Sequence, residues 1–349
     1  MLTYLWVQLD QNMRKPGSMT AQSRTSELPK SITPEQVQER YIDQFEGGFV
    51  IDGVTGGAYT IVNTMMRVDL PSPLKPGASY RFKIDWHYTI NNRMTDGGRS
   101  GYEHFDEENN TLYTIAQFFP RMAVYGDNVG WQHKQFLGQG EFTLPFGDYK
   151  VSITVPEDHI VAATGVLTNE SSILNATQRK RLAQARQSFD NPVIIVTEEE
   201  ARAAEKPEAK AKATGSKTWI FKADNVRDFA FATSRKFIWD AMAVKVGNAS
   251  PLAMSYYPKE GNPLWEQYST KAVAQTLKTY SKFTVDYPYP VAISVHTKWI
   301  GMEYPMICFN GGRPEPDGTY SARTKHGMIS VIIHEVGHNF FPMIINSDE

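Results

Sequence analysis

The segment Val331-Ile332-Ile333-His334-Glu335-Val336-Gly337-His338 places an H-E-x-x-H motif directly after an apolar run. Residues four apart lie on one face of an α-helix, so the imidazoles of His334 and His338 can bind one metal ion. Glu335 would flank the open side of that ion, where a carboxylate can accept a proton from water. Chance produces the motif in about one chain in a hundred of this length. The sequence therefore predicts a helix that carries a catalytic Zn²⁺ site.

A catalytic zinc ion takes three protein ligands and keeps one position for water. In the pattern H-E-x-x-H-x-x-G-x-x-H the third ligand is a histidine, but here Phe341 replaces the glycine and Ile344 replaces that histidine. This pattern is excluded. The alternative is a glutamate on a following helix, which we expect beyond Glu349. Asp348 and Glu349 themselves follow His338 too closely to take that place.

A second motif precedes the first, in the segment W-I-G-M-E-Y-P at residues 299–305. It resembles the G-A-M-E-N signature of the aminopeptidase N family of gluzincin zinc metallopeptidases, bacterial type. Met302 and Glu303 match the signature, and Gly301 takes the alanine position. The resemblance implies an edge strand beside the zinc helix, whose backbone pairs with an extended peptide. It also implies that Glu303 binds the free α-amine of the substrate.

The match to this family is partial at several positions. Ile300 replaces the first glycine of the signature and Tyr304 replaces its asparagine. Upstream, residues 116–121 (A-Q-F-F-P-R) resemble the stretch from which the family's N-terminal domain sends a glutamine and a glutamate into the active site. Gln117 fits the glutamine and lines the substrate pocket by this resemblance, but Phe119 occupies the glutamate position. One of the two expected acidic contacts to a substrate amine is therefore missing.

The resemblance extends through nearly the whole chain, including residues 130–136 and 225–232, which we interpret as structural segments. In this family, further strands precede the first strand seen here, and the third zinc ligand and a tyrosine that stabilises the tetrahedral intermediate follow. We therefore expect a fragment that lacks both ends, binds zinc weakly and has little activity alone.

Composition limits the classes of function. The chain has 349 residues, enough for about two domains, and a formal net charge of −2 without a dense basic stripe, which argues against a nucleic-acid partner. No apolar run approaches the roughly twenty residues that span a bilayer. Cys308 is the only cysteine, so no disulfide forms within the chain and the compartment stays open. The resemblance implies a secreted, periplasmic or cell-surface location.

Residues 1–237 show a predominantly β pattern. Alternating apolar residues predict strands at 5–9, 80–88 and 151–155. Residues 176–188 predict a short helix. Residues 198–217 are rich in Glu, Lys and Ala, which indicates a solvated helix or a mobile linker.

Residues 238–349 show a mixed α/β pattern. Apolar residues every fourth position predict a helix through Tyr268–Tyr280, followed by a strand at 291–295, an edge strand at 301–310 and a helix from Thr324 that Pro342 kinks or ends. The predicted fold class is a β-rich, sandwich-like N-terminal domain (1–237) followed by the first part of a thermolysin-like α/β zinc-peptidase domain (238–349). The active-site cleft would lie between them.

The implied function of the complete protein is zinc-dependent hydrolysis of peptide bonds that releases N-terminal residues, with peptides as substrates. Two alternatives stay open. One branch of the family hydrolyses epoxides with the same zinc ligands. A non-catalytic binding relative is the other alternative, although such proteins often lose a ligand or the general base, and all three motif residues are present here.

Overall fold

The computed structural model describes residues 1–20, 33–34, 47–140 and 143–345. Contacts along the backbone divide this part of the chain into two compact units. Unit 1 comprises Met1–Gly101 and Gln117–Pro145, and unit 2 comprises Tyr102–Ala116 and residues 146–345, each within the described ranges. Asp348 and Glu349 lie outside the described residues.

Strands occur in both units. In chain order they are β1 (Leu2–Gln8), β2 (Val50–Thr55), β3 (Ala58–Val62), β4 (Met65–Leu74), β5 (Lys83–His87), β6 (Gly101–Phe105), β7 (Asn110–Ile115), β8 (Arg121–Met122), β9 (Tyr125–Gly126), β10 (Gly130–Trp131), β11 (Gly147–Pro156), β12 (Ile160–Ala163), β13 (Val166–Leu167), β14 (Val193–Val196), β15 (Ser216–Val226), β16 (Phe231–Ser234), β17 (Ile238–Ala243), β18 (Leu252–Tyr257), β19 (Val291–His296), β20 (Gly301–Tyr304) and β21 (Ile307–Asn310).

The α-helices are mostly short, apart from two near the C-terminal end. They are α1 (Arg93–Asp96), α2 (Glu170–Ile173), α3 (Ala176–Ala185), α4 (Glu198–Ala204), α5 (Pro207–Lys212), α6 (Leu264–Phe283) and α7 (Ala322–Gly337), with 3-10 helices at Asp10–Arg14 and Lys259–Gly261.

Unit 1 is built on the strand predicted at the N-terminus, which is confirmed as β1. This strand lies between β4 and β8 in a sheet of order β3-β4-β1-β8. Val7 and Met66 are opposite one another in the β1–β4 ladder, and both belong to a buried cluster with Leu9, Phe49 and Val68. Alternate residues of β1 therefore supply the core, as its sequence pattern requires.

The strand predicted at residues 80–88 is shorter in the structure. β5 covers Lys83–His87 and pairs with β2 in a two-stranded sheet. A sheet of two strands buries less of each face than a larger sheet does. Trp86, which the alternation assigns to the apolar face, accordingly keeps 37% of its surface exposed.

Unit 2 contains three sheets. Two of them are antiparallel, with strand orders β11-β15-β13 and β12-β16-β7-β6. The third has six strands in the order β14-β17-β18-β19-β21-β20 and includes parallel pairs β18–β19 and β19–β21. Every residue of β17, β18 and β19 is buried, which is typical of sheet centres that are covered on both faces.

The prediction of one edge strand through residues 301–310 is wrong. The segment forms an antiparallel hairpin. β20 is the edge strand of the six-stranded sheet, and β21 lies between β20 and β19. The turn falls at Pro305 and Met306, where Pro305 has no N–H to donate and Met306 adopts a φ of 64°. The edge position itself is as predicted for Gly301–Tyr304.

The helical predictions agree with the structure. The helix predicted at residues 176–188 is α3, the helix predicted through Tyr268–Tyr280 is α6, and the helix predicted from Thr324 is α7. For residues 198–217 the sequence predicts a helix or a linker, and the structure has two short helices there, α4 and α5. Thr197 and Glu200 form a capping box at the start of α4.

Glu205, directly after α4, is buried against Lys236. The Nζ atom of Lys236 lies 2.9 Å from Glu205 and 3.0 Å from Glu260, and the lysine side chain is fully buried. The segment 198–217 therefore carries a buried ionic contact that its polar composition does not indicate.

The sequence predicts a change of domain at residue 237. This residue lies inside unit 2, between β16 and β17, which belong to two different sheets. Unit 2 also includes residues 102–116 from the first part of the chain. The predicted domain boundaries stay a prediction. In the described part of the chain, no helix is both long and apolar enough to cross a membrane.

A buried carboxyl group lies between the six-stranded sheet and α6. Asp240 accepts hydrogen bonds from the Tyr257 hydroxyl at 2.8 Å and from the Thr270 hydroxyl. Burial raises the pKa of Asp240 to about 7, although these two hydrogen bonds oppose the shift. The folded protein therefore keeps a proton that the unfolded chain has released at the same pH.

We expect Asp240 to make the stability of unit 2 depend on pH. Because its pKa is higher in the folded state, its contribution is fully present below about pH 4 and is lost as the pH rises through about 7, by up to about 1.4 kcal/mol per pH unit. Asp240→Asn cannot titrate, so urea unfolding between pH 5 and pH 8 should show a smaller fall in stability for this variant. Asp317→Asn is the matched control, since the pKa of the exposed Asp317 is lowered and this group stays ionised over that range. Equal slopes for Asp240→Asn and the wild type would contradict the assignment.

Candidate active site

Helix α7 carries the H-E-x-x-H motif and has a defined start. Ser321 caps it by accepting a hydrogen bond from the backbone N–H of Thr324 at 3.0 Å. Met328, Ile332, Glu335 and Val336 form its buried side, which packs against α6 and the β20–β21 hairpin. The exposed His334 extends from the other side of the helix.

The two histidines of the motif converge. Their Nε2 atoms are 3.1 Å apart, and the ring planes are 86° to one another. The Nδ1 atom of His338 lies 2.9 Å from the carbonyl oxygen of Phe341. Since a carbonyl can only accept, Nδ1 carries the hydrogen and Nε2 presents its lone pair.

These positions fit a zinc ion. Two nitrogens, each about 2.0–2.1 Å from one tetrahedral zinc, lie roughly 3–3.5 Å apart. Ligand atoms of His334, Glu335 and His338 all lie within 4.8 Å of one another, and these three residues make up the metal-ligating cluster of the described chain. The hydrogen bond from His338 to Phe341 is the kind of outer contact that orients a zinc-bound imidazole.

The zinc helix ends earlier than Pro342. Its last helical residue is Gly337, and His338 is the C-cap with its N–H still bonded to the carbonyl of His334 at 3.1 Å. The chain then turns, and the guanidinium of Arg227 donates to the carbonyl of Pro342 at 2.7 Å. Arg227 belongs to the segment 225–232 that we interpreted as structural, and this contact fixes the turn after the metal ligands.

Glu303 lies on the face of β20 that is turned toward α7. Side chains alternate along a strand, so Gly301 and Glu303 share a face. A Cβ atom at Gly301 would overlap the carboxylate of Glu335 and lie 2.6 Å from Val331, which locates that face against the zinc helix. Glu303 is 4% exposed, and its Oε1 atom has no hydrogen-bond partner among the described residues.

Cys308 lies between the two carboxylates. It is directly opposite Glu303 in the β20–β21 ladder, and its thiol donates to the backbone carbonyl of Glu335 at 3.2 Å. Burial raises the pKa of the Cys308 thiol well above its ordinary value, and the charges of Glu335 and then Glu303 raise it further. The thiol therefore stays protonated and acts as a hydrogen-bond donor.

Asn339 is a residue of this site that the sequence analysis missed. It is fully buried and directly follows His338. Its Oδ1 atom accepts the backbone N–H of Met306 at 2.7 Å, and its Nδ2 atom donates to the carbonyl of Val336 at 3.3 Å. This side chain therefore ties the end of the zinc helix to the turn of the hairpin that carries Glu303. Its position next to the second histidine was the only signal in the sequence.

A buried ion pair fixes the segment after β21. Arg313 donates to both carboxylate oxygens of Glu103, at 2.8 and 3.0 Å. Its Nε atom lies 3.4 Å from Nε2 of His296, a residue that is fully buried at the end of β19.

Met302 and Gln117 are the other residues predicted to contact the substrate. Met302 is buried, and its side chain is on the face of β20 opposite to Glu303. Gln117 belongs to unit 1, where it is buried with a φ of 52° and its carbonyl accepts a hydrogen bond from Gln11 at 3.1 Å. The predicted roles of Met302 and Gln117 in substrate binding stay predictions.

Solved structures provide the comparison for this arrangement. The chain is similar to the crystal structure of an M1 zinc metallopeptidase from Deinococcus radiodurans, with a TM-score of 0.52 and 13% identity over 98% of this chain and 57% of that chain. The chain has the fold of the M1 zinc metallopeptidases. Similar M1 structures include a two-domain mutant enzyme bound to L-tryptophan, with a TM-score of 0.50 and 14% identity. A further one is a mutant from Deinococcus radiodurans bound to a Tyr-Ser-Ala substrate, with a TM-score of 0.50 and 13% identity. Both matches cover 98% of this chain and 57% of the other chain.

The M1 similarity concerns the fold, since the identities are low. This chain spans about 57% of the length of these M1 structures. No family model and no curated protein matches the sequence. The predicted fold class, a β-rich first part followed by a zinc-peptidase type of α/β domain, is confirmed.

Zinc binding by residues 1–349 should depend on both histidines. Among the described residues, no further histidine, cysteine or carboxylate joins the cluster of His334, Glu335 and His338 as a third zinc ligand, so we expect a weakly bound, exchangeable ion. Metal analysis after dialysis against a mild chelator should find well under one zinc per chain. Calorimetric titration with Zn²⁺ should detect binding that His334→Ala or His338→Ala abolishes.

Asp348→Asn with Glu349→Gln is the matched control, because these carboxylates follow His338 too closely in the sequence to supply the third ligand. This double variant should bind zinc as the wild type does. One tightly held zinc per chain would show that another residue completes the site.

Proposed function

We propose that this chain carries two zinc ligands, the general base and the amine-binding carboxylate of a zinc metallopeptidase that releases N-terminal residues from peptides. One observation carries the proposal. The convergent imidazoles of His334 and His338, the motif carboxylate of Glu335 and the buried carboxylate of Glu303 are held together by α7 and the β20–β21 hairpin. The fold of M1 zinc metallopeptidases supports the same reaction class.

Glu335 is suited to accept a proton. A zinc ion held by the two histidines would lower the pKa of a coordinated water to about 7. The carboxylate of Glu335 extends from the helix position between them and is 5% exposed, so bulk water competes little for it. Glu335 takes the proton of the attacking water and later delivers it to the departing amine.

Glu303 is suited to bind an ammonium group. A buried carboxylate oxygen without a hydrogen-bond partner is costly, and a positively charged amine would satisfy it. Such a contact would place the first residue of a peptide next to the zinc ligands. Cleavage would then remove that residue.

The edge of the sheet offers a binding mode for the rest of the peptide. β20 is the last strand of the six-stranded sheet, and no strand of the described chain pairs with its outer edge. An extended peptide can pair with the outward-facing backbone groups of Gly301 and Glu303, since Met302 pairs with Phe309 inside the hairpin. One of the similar M1 structures is bound to a Tyr-Ser-Ala substrate, which is a short peptide.

Glu335→Gln tests the general base. The substitution keeps the size of the side chain but cannot accept a proton, so hydrolysis of an amino-acid arylamide should fall by roughly 10²–10⁴. The assay uses the protein in the form that the cell produces, and zinc content is measured in parallel. Glu199→Gln, an exposed position on α4, should leave the rate unchanged. Near-normal turnover with retained zinc in Glu335→Gln would refute the role.

Glu303→Gln tests the amine contact. The variant loses the charge that holds the ammonium group, so kcat/KM for a free amino-acid arylamide should fall at least about tenfold, mostly through KM. The N-acetylated substrate has no charged amine and should be cleaved equally poorly by both proteins. An unchanged preference for the free amine in Glu303→Gln would assign amine recognition to another residue.

Assays of the wild type and these variants on other compounds distinguish a peptidase from the two alternatives, an epoxide hydrolase and a non-catalytic binding relative. Phe119 stands where the resembled family has a second carboxylate, so amine selectivity depends on Glu303. An epoxide hydrolase would open an aryl-alkyl epoxide faster than it cleaves the arylamide. A non-catalytic relative would bind peptides without hydrolysing either compound. Either result would replace the peptidase proposal.

A further inference from the structure

Unit 2 contains a cavity of about 310 Å³ that is separate from the zinc site. Its lining comes from β12, β13 and β15, from the central strands β17, β18 and β19, and from α2 and α3. None of the zinc-site residues contributes to it. An apolar cavity of about 150 Å³ can bind benzene, so this volume is enough for about two rings.

The sheet register explains why one wall of the cavity is apolar. Trp239 is directly opposite Tyr256 across β17 and β18, and Met254 is opposite Ile293 across β18 and β19. These four residues share one face of the sheet and line the cavity. The other face carries Asp240 and the polar residues under α6. The cavity is therefore a consequence of the alternation along three central strands.

Two walls of the cavity contain flat aromatic surfaces. On the six-stranded sheet, the rings of Trp239 and Tyr256 are stacked at 5.2 Å with an interplanar angle of 15°. On β15, the rings of Trp219 and Phe221 are parallel to within 7° at 6.5 Å. Surfaces of this type favour flat apolar ligands.

Three hydrogen-bond donors around the cavity have no nitrogen or oxygen acceptor among the described residues. The Nε1 atoms of Trp219 and Trp239 are buried without a partner among the described residues, and the hydroxyl of Tyr256 has the thioether of Met254 at 3.9 Å as its contact. Buried donors normally have an acceptor, so each of these groups favours a ligand that supplies one. Both tryptophans are at least 97% buried.

The charges of the lining balance one another. Arg186 and Glu170 form an ion pair and contribute one positive and one negative charge. An anionic ligand would meet the carboxylate, and a cationic ligand would meet the guanidinium. The balance favours an uncharged molecule.

We propose that this cavity binds a neutral, flat, apolar molecule of about two fused rings that carries one hydrogen-bond acceptor. The ligand site is independent of the zinc chemistry. Binding there should be saturable with one molecule per chain.

Quinoline and naphthalene form a matched pair of probes. They have the same shape, but only quinoline has an acceptor nitrogen, and quinoline is uncharged at pH 8. Quenching of tryptophan fluorescence and calorimetry should show 1:1 binding, with a Kd for quinoline at least about fivefold lower than that for naphthalene. Absence of saturable binding by quinoline would overturn the proposal, and equal affinities would overturn the acceptor requirement.

Variants locate the bound probe. Ala163→Leu adds side-chain volume in the lining and should weaken quinoline binding at least about tenfold. Trp219→Phe and Trp239→Phe keep the ring surfaces but remove a donor, so at least one of them should abolish the preference for quinoline over naphthalene. Trp86→Phe, in unit 1, and His334→Ala, at the zinc site, should bind quinoline as the wild type does. Circular dichroism confirms that each variant is folded.

Two results would contradict the location. One is unchanged affinity for quinoline in a folded Ala163→Leu. The other is loss of binding in His334→Ala. If Ala163→Leu does not fold, the two tryptophan variants decide, and unchanged selectivity in both would overturn the assignment of the donors.

Discussion

The packing of α7 against the β20–β21 hairpin is the constraint on which the candidate site depends. Buried hydrogen bonds join these elements, including one from the Met306 amide to Asn339 and one from the Cys308 thiol to the Glu335 carbonyl. Sliding the helix along the sheet would leave these groups without partners in a dry environment, which costs more than the bonds contribute when made. The distance between the histidines and the strand edge is therefore set by groups that take no part in catalysis.

The six-stranded sheet gives each of its parts a different environment. Its central strands are buried on both faces, with a polar cluster around Asp240 on one face and an aromatic cavity on the other. The hairpin lies at one end of the sheet, where β20 has no further strand beside it in the part of the chain that the structure describes. A peptide that pairs with a sheet requires such an edge, whereas a small apolar ligand requires a cavity. One sheet can thus provide two separate kinds of binding surface.

Local patterns account for what the sequence could predict. His334, Glu335 and His338 lie in one helical turn, and α3, α6 and α7 follow from periodicity and capping. Asn339 escaped notice because its acceptor contact is with a backbone group 33 residues away. The sequence does not indicate the hairpin, because Met306 adopts a left-handed backbone conformation that its residue type does not predict. The inclusion of residues 102–116 in unit 2 depends on long-range sheet pairing, which no local composition reveals.

Gly301 leaves space for the side chain of Glu335. Because it has no side chain, the Glu335 carboxylate occupies the volume where a Cβ atom would be, and the strand backbone limits the rotamers open to that carboxylate. Alanine is the smallest residue that would fill this recess, and the signature that this segment resembles has alanine there. The carboxylate of Glu335 therefore extends closer to the strand than a methyl group at position 301 would allow. The space available to this carboxylate is set by a single missing carbon atom.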